Sequence, residues 1–136
     1  VSRYVVIVDG KTGAYGVVVP DFPGCTSAGS SVDEALHNAL EAMTLWAEDA
    51  RADGEKIPKP RPIDKLRKDA EVAAALSEGG VLAYVPLVRD AGRPVKANLS
   101  LDAGLLEAID EAAERRGLTR SAFLASAARE KIETEG

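Results

Sequence analysis

Cysteine and histidine are almost missing from this 136-residue chain: Cys25 and His37 are the only ones. A single cysteine rules out an internal disulfide and suggests a reducing compartment, so the expected location is the cytoplasm. With one histidine and one cysteine, neither a dedicated zinc site nor a Cys–His catalytic pair is expected. No metal, cofactor or catalytic residue is therefore expected. No apolar run approaches the length of a membrane span, no secretory pattern opens the chain, and there is no internal repeat or low-complexity tract. Nor is there an excess of cations. The net charge of −5 argues against a general nucleic-acid binder.

What is present is ordinary soluble-domain material, 46% hydrophobic and 29% charged, long enough for one domain or two small ones. Residues 4–8 are a continuous apolar run that reads as a central strand. Gly10 to Gly13 supply a turn, and residues 15–19 return, which makes a β-hairpin. A rigid loop follows, Asp21-Phe22-Pro23-Gly24-Cys25, and then a short third strand at 26–29. Ser31-Val32-Asp33-Glu34 reads as a capping box, in which the Ser31 hydroxyl accepts from the Glu34 amide and the Glu34 carboxylate returns to the Ser31 amide. Behind it Val32, Leu36, Ala39, Leu40, Met43 and Ala47 recur at helical spacing, which predicts a helix over 32–52. Prolines 58, 60 and 62 favour an extended segment over 55–62. Residues 63–76 read as one further helix, and 81–88 as a strand whose Pro86 suits a sheet edge or a bulge. Residues 1–90 are thus expected to form a small, antiparallel-rich sheet with helices on one face, an α+β domain.

Residues 93–136 read differently. Val95, Ala97, Leu99 and Leu101 alternate with Lys96, Asn98 and Ser100, the period of a strand with one dry and one wet face. No hairpin partner follows it, only two short amphipathic helices. The first carries Leu105, Leu106, Ile109, Ala112 and Ala113, with Arg115 and Arg116 in its last turn and Gly117 at its end. The second is capped by Thr119 and carries Phe123, Leu124, Ala127, Ala128 and Ile132. A lone strand is not stable in water, and about forty residues make no secure core. The expected partner is the same strand of a second copy. That gives a two-stranded ribbon with Val95, Ala97, Leu99, Leu101, Ile109, Phe123 and Leu124 in the dimer core.

This strand, the leucine-rich helix and the turn Gly117-Leu118-Thr119-Arg120-Ser121 resemble a ribbon-helix-helix DNA-binding domain. The hairpin, the loop 21–25, the capped helix opening Ser31-Val32-Asp33-Glu34-Ala35, Gly54 and the proline segment 58–62 resemble the N-terminal domain of HicB-family antitoxins. The order of these motifs covers nearly the whole chain. The resemblance implies a bacterial or archaeal toxin–antitoxin module. It implies an N-terminal domain of partial ribonuclease-H-like fold that covers a HicA-type messenger-RNA endonuclease, and a C-terminal dimer that represses its own operon. It also implies a tetramer through further pairing of N-terminal domains.

On that pattern the outward side chains Lys96, Asn98 and Ser100 read bases in the major groove. Lysine donates to guanine, asparagine pairs with adenine, and serine is permissive. The amides near Thr119, Arg120 and Ser121, with the charges of Arg120 and Arg93, hold phosphate. An RNA-cleaving toxin tends to be basic, so the acids Asp21, Asp33, Glu34, Glu41, Glu48 and Asp49 suit it. Tyr15, Phe22 and Pro23 are expected as rigid apolar anchors on an exposed loop. A ribonuclease-H-like two-metal site would need converging carboxylates. Asp9 and Glu34 or Glu41 are available, but the strand at 81–88 offers none, so no enzyme is expected. His37 reads as a surface or packing residue and Cys25 as a small packed one. The alternative class is a stand-alone ribbon-helix-helix repressor whose N-terminal domain senses a small ligand.

Overall fold

The computed structural model describes residues 1–88 and 94–134, which belong to two compact units, one ending at Val88 and the other holding the C-terminal helices.

The first unit is a four-stranded antiparallel sheet with helices. β1 (Ser2–Lys11) pairs with β2 (Ala14–Val18) on one side and with β4 (Val81–Leu87) on the other, and β2 pairs with β3 (Thr26–Gly29), in the order β3-β2-β1-β4. β1 sits inside the sheet because residues 4–8 are apolar at every position. Pro86 falls on β4, an edge strand, where a missing N–H is tolerated.

The expectation of helices on one face is corrected. Tyr4, Val6 and Val8 pack with Val17, Val85 and Leu87 against α1 (Val32–Ala52), through Ala35, Ala39, Leu40, Met43 and Ala47. The alternate side chains Val5 and Ile7 point the other way and are buried against Leu66 and Val72. Those two come from α2 (Ile63–Leu66) and α3 (Ala70–Ser77). A strand with no polar position inside the sheet needs cover on both sides, which is the physical reason for the second layer.

Residues 63–76 are likewise two helices rather than one. Asp69 interrupts them: its backbone is extended, and its Oδ1 accepts from the amides of Glu71 at 3.0 Å and Val72 at 3.3 Å, capping α3. Aspartate competes with the backbone in this way, and here it wins. At the start of α1 the Ser31 hydroxyl does accept from the Glu34 amide, at 3.1 Å. The Glu34 carboxylate returns one residue earlier than expected, to the Ser30 amide at 3.3 Å and the Ser30 hydroxyl at 3.0 Å.

Gly29 has a specific steric role. A Cβ there would stand 2.5 Å from the Ala35 amide nitrogen, so only glycine lets β3 lie this close to α1. Ser27, on the same side of β3, fixes the approach by donating to the Ala35 carbonyl at 2.9 Å. The proline segment takes no helical or strand form and is laced to the unit. The Tyr4 hydroxyl donates to the Pro58 carbonyl at 2.6 Å, and Ile57 packs on the core.

The second unit holds α4 (Ala103–Arg115) and α5 (Arg120–Thr134). Asp102 caps α4 by accepting from the Leu105 amide at 3.1 Å. α4 ends at the left-handed Gly117, φ +67°, with the Leu118 amide donating back to the Ala113 carbonyl.

Candidate functional site

Residues 94–101 lie outside every helix and strand of the described chain, and all of them are exposed. Within one copy the expected strand therefore has no ladder. Its dry-face side chains stand in water, Val95 at 84% and Leu99 at 66% exposure. Lys96, Asn98 and Ser100 are exposed between them. The helices behind bury very little. Ile109 and Ala113 are the buried residues of α4, α5 has none, Phe123 and Leu124 are only half-buried, and Ala127 and Ala128 are exposed. Ile109 is thus already buried within one copy. Val95, Ala97, Leu99 and Leu101, with one flank of α5, are left uncovered.

At the turn between α4 and α5 the Thr119 hydroxyl caps α5, accepting from the Ala122 amide at 3.1 Å, and Ser121 is exposed. Arg120 is not a free cation. Its Nε donates to Asp110 Oδ1 and its Nη2 to Asp110 Oδ2, both at 2.8 Å. This two-pronged pair holds the Asp110 carboxyl below the usual carboxylate range and raises the guanidinium further. It ties the first turn of α5 to α4 and engages the group that the sequence assigned to phosphate. Arg116 lies over the Phe123 ring, 5.7 Å from its centre. Arg93 falls outside the described residues. Asp110 was invisible to sequence reasoning because the pair crosses a turn, and no helical spacing links positions ten residues apart.

The loop after β2 is a correction. Phe22 is no exposed anchor: it is fully buried, with ring centres 4.6 Å from Tyr4 and 4.4 Å from Trp46, the latter stacked at 2°. Asp21 is buried as well. Its Oδ1 accepts from Arg61 Nε at 2.6 Å and its Oδ2 from the Arg61 amide at 3.1 Å, while Arg61 Nη1 reaches Asp69 Oδ2 at 3.4 Å. Three backbone bonds close the loop, from the Val19 amide to the Cys25 carbonyl at 3.1 Å, from the Phe22 amide to the Val19 carbonyl at 3.1 Å and from the Cys25 amide to the Phe22 carbonyl at 2.9 Å. Phe22 and Asp21 are thereby spent on the fold. Tyr15 is half-buried against the core and Pro23 is exposed.

The acids of α1 do face solvent: Asp33, Glu34, Glu41, Glu48 and Asp49 are all exposed. His37 is exposed too, with Nε2 3.4 Å from Glu41 Oε1. Cys25 is buried, and burial pushes its thiol up, away from reactivity. Among the described residues no group of three or more His, Cys, Asp or Glu could hold a metal ion, and no helix is long and apolar enough to cross a membrane.

Comparison with known proteins agrees with this architecture. A 14.9 kDa protein of uncharacterised function from Haemophilus phage HP1 is 32% identical over 131 residues, 95% of this chain and 96% of its own. The crystal structure of the Burkholderia pseudomallei antitoxin HicB superposes with a TM-score of 0.53 at 31% identity, covering 100% of this chain and 99% of that one. The crystal structure of an antitoxin HicB3 gives 0.53 at 31% identity, over 96% and 97%. The family model for HicB-like antitoxins of bacterial toxin–antitoxin systems matches residues 4–128, nearly the full length, and the chain belongs to that family.

Proposed function

We propose that this protein neutralises a HicA-type messenger-RNA endonuclease and represses its own operon. The first unit, with a partial ribonuclease-H-like fold, covers the toxin. The second is a ribbon-helix-helix that dimerises and binds operator DNA. Family membership supports the antitoxin half of this reading. The observation that carries the DNA half is the exposed alternating segment 94–101 beside two helices with little buried between them.

A second copy of that segment, paired antiparallel, would satisfy its backbone and cover Val95, Leu99 and Leu101 together with the α5 flank. The opposite face of the ribbon then presents Lys96, Asn98 and Ser100 twice, related by a two-fold axis, at a width that the major groove admits. The amides at the start of α5, near Thr119 and Ser121, supply the phosphate contacts. Arg120 keeps that helix start in position through Asp110.

Two measurements test the reading. Replacing Lys96, Asn98 and Ser100 together by alanine should abolish operator binding in a gel-shift titration at fixed salt while the protein still elutes as a dimer. Salt is fixed because phosphate contacts make affinity steeply salt-dependent. A wild-type chain that elutes as a monomer, or a triple variant with unchanged operator affinity, overturns the DNA half. The antitoxin half is tested by co-expression with the product of the adjacent short reading frame, and failure to restore growth overturns it.

A further inference from the structure

One strip of α1 lies at the margin of the core of its unit: Ala42 and Trp46 are half-buried and pack against that core, while Leu45 stands out in solvent. α1 turns Ala35, Ala39, Leu40, Met43, Ala47 and Ala50 inward. Leu45 falls outside that stripe and is 62% exposed. Trp46 beside it is half-buried. Its ring stacks on Phe22, and its Nε1 donates to the Pro23 carbonyl at 3.1 Å, which holds the indole rigidly next to exposed Pro23. Leu45 and Trp46, with the half-buried Ala42 one turn before them, lie on one flank of the helix. The exposed carboxylates Glu41, Glu48 and Asp49 stand four residues before Leu45 and three and four after it, so they rim the strip. A lone exposed leucine needs no explanation. A leucine beside an immobilised tryptophan and a proline, ringed by acids, has the make-up of an interface centre with a polar rim.

Resting on the antitoxin reading above, we infer that the Ala42–Leu45–Trp46 strip of α1, with Pro23 and its acidic rim, is the surface that receives the toxin, through an apolar side chain flanked by lysine or arginine. Charge decides the occupant. α1 carries Asp33, Glu34, Glu41, Glu48 and Asp49 against Arg51, so nucleic acid is repelled. A second copy of the same face is disfavoured too, because a two-fold contact would set Glu41, Glu48 and Asp49 against their own equivalents. An enzyme that cleaves RNA must hold a polyanion and offers the complementary cationic surface. Docking here would place the antitoxin's carboxylates where the phosphates of the substrate otherwise lie.

The test uses the full-length chain and the product of the adjacent short reading frame, titrated calorimetrically. Leu45 is exposed, so Leu45→Arg should leave the urea midpoint at Trp46 unchanged yet weaken binding by about thirtyfold or more, the scale of an interface hot spot. Glu41→Lys/Glu48→Lys should slow association and flatten its salt dependence. Val18→Arg, at an exposed position on the opposite face of the sheet, should bind as the parent does. If the parent binds and Leu45→Arg binds equally, or if Val18→Arg is the variant that fails, the inference is overturned while the antitoxin reading stands. If Leu45→Arg changes the oligomeric state of the chain alone, the strip is a self-contact and the inference is overturned. If the parent does not bind, the antitoxin reading falls and this inference falls with it.

Discussion

Phe22 gives the sharpest check on the first unit, because a surface anchor and a core residue respond oppositely to truncation. Its ring has no exposed surface and is held between Tyr4 and Trp46. A buried aromatic side chain withdraws roughly 150–250 Å² from water, which at about 25 cal/mol per Å² corresponds to about 4–6 kcal/mol. Phe22→Ala keeps the β-carbon, and the denatured chain already hides part of the ring, which lowers the figure. The void left against Trp46 and Tyr4 raises it again. The expected loss is about 3–5 kcal/mol, a large part of the roughly 5–15 kcal/mol available to a domain. Trp46 is the only tryptophan and lies in this unit, so urea unfolding followed by its fluorescence reports the right transition. The midpoint should fall sharply while the slope stays fixed. A loss below about 1 kcal/mol, the range of surface substitutions, would show that the ring is not where the structure places it. Phe22→Asp should abolish folding of the unit outright, since a carboxylate there would be buried without a partner.

Three further outcomes are expected. Gly29→Ala forces β3 away from the α1 backbone and should destabilise the first unit by about 1–3 kcal/mol in the same urea assay; a neutral variant would contradict the 2.5 Å approach. Asp110→Arg should lower the thermal midpoint of the second unit by circular dichroism, and Asp110→Arg/Arg120→Asp should recover it. In operator titrations across salt, a phosphate-bound Arg120 would make Arg120→Ala flatten the slope by about one unit while Asp110→Ala leaves it alone, whereas the observed pair calls for equal effects. Asp69 is held below the usual carboxylate range by the Val72 amide first, then by the Glu71 amide and Arg61. Its folded-state pKa is therefore depressed. The stability it confers is complete above the unfolded value near pH 4 and is lost as pH falls through the folded one. Asp69→Ala should weaken the acid dependence of the urea midpoint between pH 5 and pH 2, and a variant as acid-sensitive as the parent would refute the assignment.

Much of the first unit could be read from local pattern. The helix over 32–52 followed from the Ser31 cap and its apolar spacing, the short strand at 26–29 lies where expected, and of the edge or bulge that Pro86 suits, β4 takes the edge. The second layer of helices was also present in the sequence, in Val5 and Ile7, but a run apolar at every position does not say what covers each side. The single helix at 63–76 failed because Asp69 can sit inside a helix or cap one, and its bond to Arg61 lies outside any local window. Phe22 misled for a similar reason: flanked by Asp21 and Pro23, it looks like a loop tip, and only the distant residues Tyr4, Trp46 and Arg61 pull that loop inward. Arg120 was assigned to phosphate from the start of its helix, with Asp110 hidden across the turn. Partners outside any local window account for the buried loop and for the Arg120–Asp110 pair, while the divided helix follows from a local choice, the cap that Asp69 makes.

Pro86 has a consequence for growth by stacking. A strand on the rim of a sheet offers its amides to any passing chain, the first step toward fibrils. Here one rim, β3, is only four residues long, and the other, β4, has a gap in its row of amides at Pro86. An incoming strand would lose a rung there. Open-ended polymerisation through the first unit is thereby discouraged, even in a crowded cell where many copies meet.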